Sequence, residues 1–590
     1  SNSSGGFTPT AGTITMSGSS KTINTHSGNN FFNLTSTGDK TVQSELDING
    51  NLTVSSGELA LGANNVDVAS SKTVDCDGTI SLSTSVFTAN GPSDFTNGTL
   101  SISSTGTYDA NNTFTASSGN VTFTGAGFLK CNNTVSDLGT LTNSAGTVVY
   151  DGGAQNILAD DYYNLVVDQS GNKTALGTVN VNGDFTADNS AVYKPSTFGT
   201  TVTGATAFNN NASLSFASGA AGVFDANGTF SDGVNITFHL SNGGNLRLQQ
   251  SPNSFGTFTN NGSVRYDGGT QDVLAANYWQ LSIRESGVKT AAGTINVADD
   301  LNINANSIFD IASTTLDVNG VTTINATLRI GASGVFDADG EFDASSGIVA
   351  FTGAGNLNLS NTVTGIGTFV KSTGTVTYDE ADAQTISDVN YHNLVLDQSG
   401  IKTAANNLDI DGNLTLTNGA TLSMSASNHA LDLEGDLTIT SGTFSAGTGN
   451  HDVAGNWDDS GTSGGFVPSA GTVTLSGNSK TITNHANNYF FNLAIEAGTK
   501  TAENDLDING DLSITTGTLD MKAAEDNNLD LEGDFSIASS GTFTAQGGSH
   551  DVLGNWDGSG GTFQSTSEGT VTLSGTSKTI NTGTNNSFYN

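Results

Sequence analysis

The chain has 590 residues and a formal net charge of −39, because it carries 56 acidic and only 17 basic residues. This charge argues against nucleic acid and anionic membranes as partners, since both bind through clustered Lys and Arg. The 74 Gly and 5 Pro are unusual for packed helical domains, and no run of about eighteen apolar residues predicts membrane insertion.

A strand, corner, strand theme occurs along the whole chain. Apolar and polar residues alternate at a spacing of two, and Gly followed by Asp or Asn interrupts the alternation. The alternation is typical of short β-strands with one buried side, and we expect the Gly to supply a positive φ at the corner. Clear copies lie at residues 46–54, 179–187, 431–439 and 529–537.

A longer repeat joins an aromatic pair, followed by Asn-Leu or Gln-Leu, to a Lys-Thr pair a few residues later. Self-similarity at a long period indicates an array in which each unit buries its apolar edge against its neighbours. The copies are Phe31-Phe32-Asn33-Leu34 with Lys40-Thr41, Tyr162-Tyr163-Asn164-Leu165 with Lys173-Thr174, Tyr278-Trp279-Gln280-Leu281 with Lys289-Thr290, Tyr391-His392-Asn393-Leu394 with Lys402-Thr403, Phe490-Phe491-Asn492-Leu493 with Lys500-Thr501, and a sixth that begins at Phe588-Tyr589-Asn590.

The spacing of the corner glycines predicts the coil. From Gly412 to Gly477, and from Gly510 to Gly575, the steps are 20 to 23 residues, about one coil of a parallel β-helix. The step of 33 from Gly477 to Gly510 predicts an excursion in the coil of the aromatic pair. We predict an all-β, parallel β-helix solenoid over residues 1–590, in approximate blocks 1–140, 141–257, 258–370, 371–467, 468–565 and 566–590.

A string of immunoglobulin-like sandwiches is the alternative fold. The aligned Asn or Gln positions are separated by 131, 116, 113, 99 and 98 residues, and this drift favours added coils over a domain of fixed topology. At ~21 residues and ~4.8 Å per coil, a continuous solenoid would be on the order of 130 Å long.

Two cysteines occupy inward positions of the strand theme. Cys76 and Cys131 each take the place that Ile48 has in its own copy. Inward cysteines behave as small buried hydrophobic residues, and these two lie more than two coils apart. We therefore predict free thiols and no disulfide.

The Lys-Thr pairs and two His-Asp pairs are the residues that most resemble catalytic groups. The lysines share one position of the repeat, whereas a catalytic centre needs a unique cluster, so we expect a corner role in which they neutralise nearby carboxylates. His451-Asp452 and His550-Asp551 lack an accompanying nucleophile. Trp457 and Trp556 are expected to cap core layers, and stacking on a sugar is the alternative.

Outward aspartates at the second position of the theme predict a ladder of carboxylates. Where coils stack directly, these groups lie about 4.8 Å apart and repel, which a divalent cation or salt relieves. The candidate calcium ligands are Asp432, Asp507 and Asp530. The alternative is solvated charge that opposes lateral aggregation. No catalytic residue and no other cofactor is predicted.

The segments Gly471–Gly477, Lys480–Ile482, Phe490–Leu493 and Leu506–Leu512 resemble the β-strand repeats of giant bacterial surface proteins and filamentous-haemagglutinin-like adhesins. The resemblance covers nearly the whole chain and lies in the style of the repeat. It implies secretion, a right-handed parallel β-helix, and a place at a cell surface or in an extracellular fibre.

These features predict a non-enzymatic structural protein, an acidic extracellular stalk or filament subunit. Residues 12–33 align with residues 569–590, so the sequence opens and closes within the same kind of unit. Self-association end to end, or further repeats of a longer chain, would cover the exposed coils. The alternatives are an adhesin that binds cell-surface glycans along one face and, less favoured, a polysaccharide lyase or hydrolase.

Overall fold

The computed structural model describes residues 6–216, 222–232, 237–240, 243–255, 257–304, 306–424, 428–461, 464–522, 524–565, 569–583, 586 and 588. The chain forms two compact units, Ser1–Lys289 and Thr290–Asn590. The described residues form 81 short strands and no helix, and their sheets are parallel throughout. The predicted all-β parallel solenoid is confirmed, and antiparallel sandwiches are excluded for these residues.

Over most of the first unit every third strand along the chain joins the same sheet, so one coil contributes three strands. The strands, sheet by sheet, are Thr13–Met16, Asn33–Thr37, Leu52–Ser56, Val74–Cys76, Ser93–Asp94, Phe114–Thr115 and Val135–Asp137; Lys21–Ile23, Lys40–Val42, Glu58–Ala60, Thr79–Leu82, Thr99–Ile102, Asn120–Phe123 and Thr140–Thr142; Asn30–Phe31, Leu46–Ile48, Val66–Val68, Val86–Ala89, Thr107–Ala110, Phe128–Cys131, Thr147–Tyr150, Asn164–Val167, Phe185–Ala187, Thr206–Phe208 and Phe230–Asp232; Gln155–Ile157, Gly171–Ala175, Ala191–Lys194, Ser213–Phe216, Thr237–Leu240 and Thr257–Asn260; Asp161–Tyr162, Val179–Val181, Gly199–Val202, Val223–Ala226, Asn245–Leu248, Ser263–Tyr266 and Gln280–Ile283; and the separate strands Gln271–Val273, Asn277–Tyr278 and Gly287–Ala291.

The second unit repeats this arrangement. Its strands, sheet by sheet, are Leu301–Ile303, Thr322–Ile324, Phe342–Asp343 and Val363–Gly365; Ser307–Asp310, Thr327–Ile330, Ile348–Phe351 and Thr368–Val370; Ile295–Val297, Thr315–Val318, Val335–Ala338, Asn356–Leu359, Thr375–Tyr378, Asn393–Leu396, Leu414–Leu416, Leu437–Ile439, Trp457–Asp458, Lys480–Thr483, Thr499–Ala502, Thr518–Asp520, Thr542–Thr544 and Thr562–Gln564; Gln384–Ile386, Gly400–Ala404, Ala420–Ser423, Thr443–Gly447 and Gly465–Pro468; Leu408–Ile410, Leu431–Leu433, His451–Val453, Thr472–Leu475, Asn492–Ile495, Leu512–Ile514, Phe535–Ile537, Trp556–Asp557 and Ile580–Asn581; and Leu506–Ile508, Leu529–Leu531, Ser549–Val552 and Thr570–Leu573.

The core of each unit is a stack of apolar rungs. In Leu506–Ile508 the two apolar side chains are buried and Asp507 between them is exposed, as the alternation predicts. Leu506 and Ile508 lie in register with Leu529 and Leu531 of the next coil. Burial of each such side chain contributes about 1.5–3 kcal/mol to the free energy of unfolding, because the side chain is removed from water.

The corner glycines are required for a reason that the sequence did not show. The expectation of a positive φ was wrong at Gly435 and Gly533, which lie outside the left-handed region. A Cβ at Gly435 would lie 2.1 Å from the carbonyl oxygen of Gly412, and a Cβ at Gly533 would lie 2.1 Å from that of Gly510. Successive corners stack backbone on backbone, so a side chain there would collide with the preceding coil.

The coil of the aromatic pair contains the predicted excursion. After the strand Lys480–Thr483 the chain forms no strand until Asn492, apart from a single parallel bridge between Phe490 and Ile508. In the sixth copy Tyr589 and Asn590 lie outside the described residues. Continuity of the solenoid across its blocks and its right-handedness stay predictions.

Candidate functional site

The Asn of the aromatic-Asn-Leu motif begins a ladder of side-chain to backbone hydrogen bonds. Asn492 Oδ1 accepts from the backbone N of Asp511 at 2.8 Å, and Asp511 Oδ1 accepts from that of Asp534 at 2.8 Å. Asp534 Oδ1 then accepts from the backbone N of Asn555 at 2.7 Å. The Asp or Asn after each corner Gly thus satisfies a backbone donor one coil further on. The sequence analysis did not predict this ladder. The spacing of these residues by one coil length was the signal that could have revealed it.

The repeated lysines are buried at the coil corners. Lys173 Nζ donates to the carbonyl oxygens of Gly152 at 2.8 Å, Gly153 at 2.8 Å and Gln169 at 3.0 Å. The expected corner role fits this geometry, but the ammonium binds carbonyls and not the expected carboxylates, because its burial leaves backbone oxygens as its nearest acceptors. Burial lowers the pKa of Lys173 to about 8. The equivalent buried lysines, each bonded to carbonyl oxygens, are Lys40, Lys289, Lys402 and Lys500.

The first aromatic residue of the motif points into the core. Tyr162 is fully buried, and its hydroxyl lies 3.0 Å from that of Tyr150. Tyr162 Oη donates to the carbonyl of Leu158 at 3.0 Å, and the N–H of Leu158 donates to Tyr150 Oη at 3.4 Å, which closes a ring of hydrogen bonds. Burial raises the pKa of both phenols. The same pairing recurs between Tyr266 and Tyr278 and between Tyr378 and Tyr391.

The two His-Asp pairs are built into the core. His451 Nδ1 accepts from the backbone N of Leu431 at 3.2 Å, and its Nε2 lies 3.1 Å from the carbonyl oxygen of Ala446. Burial lowers the pKa of His451 to about 4. His550 is also buried, beside the carbonyl of Ala545. These contacts give both imidazoles structural partners on the backbone.

The tryptophans divide between core and surface. Trp457 is 0% exposed and Trp556 is 1% exposed, so neither offers a ring face to a ligand. Trp279 is 39% exposed. Trp457 and Trp556, the tryptophans of the two His-Asp-Val-x-Gly-Asn-Trp units, therefore lie in the core as expected.

The carboxylate ladder forms as expected. Asp507 lies in register with Asp530, which lies in register with Asp551, and Asp432 lies in register with Asp409. Burial and the neighbouring carboxylate of Asp530 raise the pKa of Asp507. Within the part of the chain that the structure describes, no three His, Cys, Asp or Glu residues form a group that could hold a metal ion. Calcium binding by Asp432, Asp507 and Asp530 stays a prediction.

A polar groove of about 560 Å³ opens in the second unit beside the excursion. We use "the polar groove" for the surface formed by its lining residues. They are Asn484, His485, Ala486, Asn488, Asn504, Asp505, Leu506, Asp507, Asn527, Asn528 and Asp530. The groove brings two of the three calcium candidates together with amides and an imidazole that the sequence did not single out. Its Asn-rich loop after Lys480–Thr483 was the available signal.

Buried Asp459 fixes the excursion that forms one wall of this groove. Its carboxylate accepts from the backbone N of His485 at 3.0 Å and from Asn488 Nδ2 at 2.9 Å. Burial raises the pKa of Asp459 to about 6. One buried carboxylate therefore holds both ends of the turn at residues 485–488.

A cluster of arginines lies on an outward face of the first unit. Arg247 and Arg265 are in register on neighbouring strands. Arg247 lies 4.0 Å from Asp225, and Arg265 Nε lies 3.2 Å from Asp267. The nearby Arg284 has a lowered pKa through burial and the charge of Arg265. Arg247 and Arg265 thus each face a carboxylate of the same surface.

The thiols are expected to be inert in the folded protein. Cys76 and Cys131 are free and 1% exposed, which confirms the predicted absence of a disulfide. Burial raises the pKa of Cys76 to about 12, so almost no thiolate is present at neutral pH. A thiol reagent such as dithionitrobenzoate should label neither cysteine in buffer and both in denaturant. Rapid labelling of the native protein would contradict the buried positions.

The contribution of Asp337 to stability is expected to increase when the pH falls from about 7.5 to about 5. Burial and the charges of Asp339, Asp379 and Asp317 raise the pKa of Asp337 to about 6. A raised pKa in the folded state means tighter proton binding than in the unfolded chain, so the stability present at low pH is lost as the pH rises through about 6. The lowered pKa of His451 acts in the opposite direction as the pH falls from 6.5 towards 4. The unfolding midpoint of the wild type relative to that of Asp337→Asn should therefore rise when the pH falls from 7.5 to 5, because His451 titrates in both proteins and only Asp337 differs. A difference between the two midpoints that stays constant or shrinks as the pH falls would contradict this.

Comparison of the chain with protein-family models, with curated proteins and with solved structures gives no match. The class of protein is therefore defined by the fold alone, as a repeat protein with a parallel β-solenoid. None of the described residues belongs to a helix long and apolar enough to cross a membrane.

Proposed function

We propose that this protein is a non-enzymatic structural protein, an acidic β-solenoid stalk or filament subunit on the outside of a microbial cell. One observation carries the proposal: groups that resemble catalytic residues occur at equivalent positions of successive repeats, where they satisfy the backbone. Lys173 and Lys500 hold corner carbonyls, and Tyr150 and Tyr162 close a hydrogen-bonded ring. Groups repeated in this way stabilise the stacking of one coil on the next.

The mechanism of such a stalk is mechanical. Each coil is joined to the next by parallel backbone ladders, by stacked apolar rungs and by the Asn/Asp ladder at the corner. Bending or stretching would have to break several of these bonds together, and each contributes about 0.5–1.5 kcal/mol. The net charge of −39 opposes lateral aggregation of exposed strands.

Self-association is part of the proposal. The edge of a parallel solenoid carries unpaired backbone N–H and C=O groups. A further coil of a longer chain, or a second copy of this protein, would pair with them. Cell-surface glycans are the second class of partner we consider.

Electron microscopy of the purified protein tests the stalk. We expect stiff, narrow particles or fibres that cross-link end to end, and protease or antibody accessibility on intact cells of the source organism. Globular particles, or retention inside the cell, would contradict the proposal. Sustained cleavage of a polysaccharide by the pure protein would replace it with the lyase or hydrolase alternative.

A further inference from the structure

The arginine cluster, formed by Arg247, Arg265 and Arg284, does not follow the repeat. Arg284 comes directly after the strand Gln280–Ile283, which follows the aromatic pair of the third copy. Three other copies have an acidic residue at the position of Arg284, namely Asp168, Asp397 and Glu496. Groups that repeat stabilise the stacking of coils, so a charge that is reversed in one copy needs another explanation.

The cluster places like charges beside each other. Arg247 and Arg265 are in register on neighbouring strands. Arg265 is in register with Ser282, whose next outward neighbour along the strand direction is Arg284. Neighbouring strands lie about 4.8 Å apart, and like charges directly opposite each other destabilise a sheet. Three of the four arginines of the chain nevertheless lie together on this face, which is typical of a surface that binds an anion.

The terminal nitrogens of these guanidinium groups are available to a ligand. Arg265 uses Nε for its own carboxylate partner at 3.2 Å, and Arg284 uses Nε for Ser282 Oγ at 3.1 Å. Arg247 Nη1 lies 4.0 Å from its carboxylate, and no terminal nitrogen of the cluster donates a hydrogen bond to a described residue. The side chain of Arg247 is 34% exposed and that of Arg265 is 20% exposed. Because a planar guanidinium binds a carboxylate through two parallel hydrogen bonds, the cluster fits a ligand that carries carboxylates.

An exposed indole lies at the start of the same strand. Trp279 is 39% exposed and directly precedes Gln280, whereas the other two tryptophans of the chain are buried. Gln280 is in register with Ser263, so the corner position of the preceding coil beside Trp279 is Gly262, which has no side chain. An exposed aromatic ring stacks on the C–H face of a sugar ring. The indole therefore favours an acidic sugar over an acidic protein surface as the ligand.

We propose that this face of the first unit binds an acidic polysaccharide whose sugar rings carry carboxylate groups. The arginine cluster would bind the carboxylates, and Trp279 would stack on a sugar ring. Trp279 lies three residues before Ser282, the register partner of Arg265, which is about 10 Å along a strand. One sugar ring does not span this distance, so the ligand is an oligomer or a polymer. The inference specifies the chemistry of the glycan partner and does not depend on the stalk role, since binding and fibre formation are measured separately.

Calorimetric titration of the full chain with a tetramer of α-1,4-linked galacturonic acid tests the site. We expect one site per chain, and binding of the fully methyl-esterified tetramer, which has the same rings but no charge, that is weaker by about tenfold or more. Arg284→Gln should reduce the affinity for the acidic tetramer by about tenfold. The matched control is Arg329→Gln, at the arginine outside the cluster, which should leave the affinity unchanged.

Trp279→Ala distinguishes a glycan from an acidic protein as the ligand. This variant should weaken binding of the galacturonate tetramer by about tenfold and leave any binding of polyglutamate, which has carboxylates but no rings, unchanged. The inference is overturned if the tetramer does not bind, if its methyl ester binds equally well, or if Arg329→Gln abolishes binding. Tighter binding of polyglutamate, with no effect of Trp279→Ala on either probe, would replace the glycan with an acidic protein surface such as the carboxylate ladder of a second copy. Circular dichroism checks that each variant is folded, and electron microscopy of the same samples reports separately on the stalk.

Discussion

Replacement of Lys173 by methionine is expected to lower the free energy of unfolding by about 3 kcal/mol or more. Methionine keeps the length of the side chain but cannot donate a hydrogen bond. The carbonyls of Gly152, Gly153 and Gln169 would lose the ammonium that now lies 2.8 to 3.0 Å away. A buried polar group that loses its partner costs about 1–3 kcal/mol, and three are affected. Urea denaturation, with amide hydrogen exchange to locate the loss, measures the effect.

Lys194→Met is the matched control. Lys194 lies on the next strand of the same sheet, beside Thr174, and its side chain points outward. Its replacement should change the free energy of unfolding by no more than about 0.5 kcal/mol. Equal effects of the two changes would show that the buried ammonium does not stabilise the corner.

Replacement of Trp457 by alanine is expected to cost about 3–5 kcal/mol. The indole is fully buried, 4.8 Å from the ring of Phe466 and 5.0 Å from that of Phe490. Its loss would leave a cavity beside the aromatic motif, because parallel strands on all sides prevent the coil from collapsing. Denaturant unfolding followed by circular dichroism gives the change in stability.

Trp279→Ala provides the control at an exposed site. Trp279 is the second aromatic of its motif and is 39% exposed, so its removal should change stability by about 1 kcal/mol or less. A large loss in Trp279→Ala, or a small one in Trp457→Ala, would contradict the assignment of core and surface. Fluorescence should agree, since only Trp279 is expected to be quenched by iodide in the native protein.

Periodicity was enough to predict the strands and the coil. Alternation placed Leu506 and Ile508 inside and Asp507 outside, and the coil spacing placed Asp507 beside Asp530. It also placed Cys76 and Cys131 in the core. These predictions succeed because a strand with one buried side has only one register that hides its apolar residues.

The candidate site was predicted less well. The sequence singled out Asp507 and Asp530 but not Asn484 or His485, which meet them in the polar groove. Asn occurs at so many corners of this chain that an unpartnered one has no distinguishing sequence mark. The missing hydrogen bonds of Asn484 become visible only in the folded chain.

The sequence by itself determined the all-β class, the coil length and the inward positions, because these follow from local alternation and from a repeat written along the chain. Only the tertiary structure decided what the conspicuous residues do. Gly435 avoids the backbone of the preceding coil, and Lys173 binds carbonyls from a neighbouring one. Such roles depend on contacts between residues about twenty positions apart. Periodicity indicates that these residues lie in neighbouring coils, but only the stacked coils show which atoms are in contact.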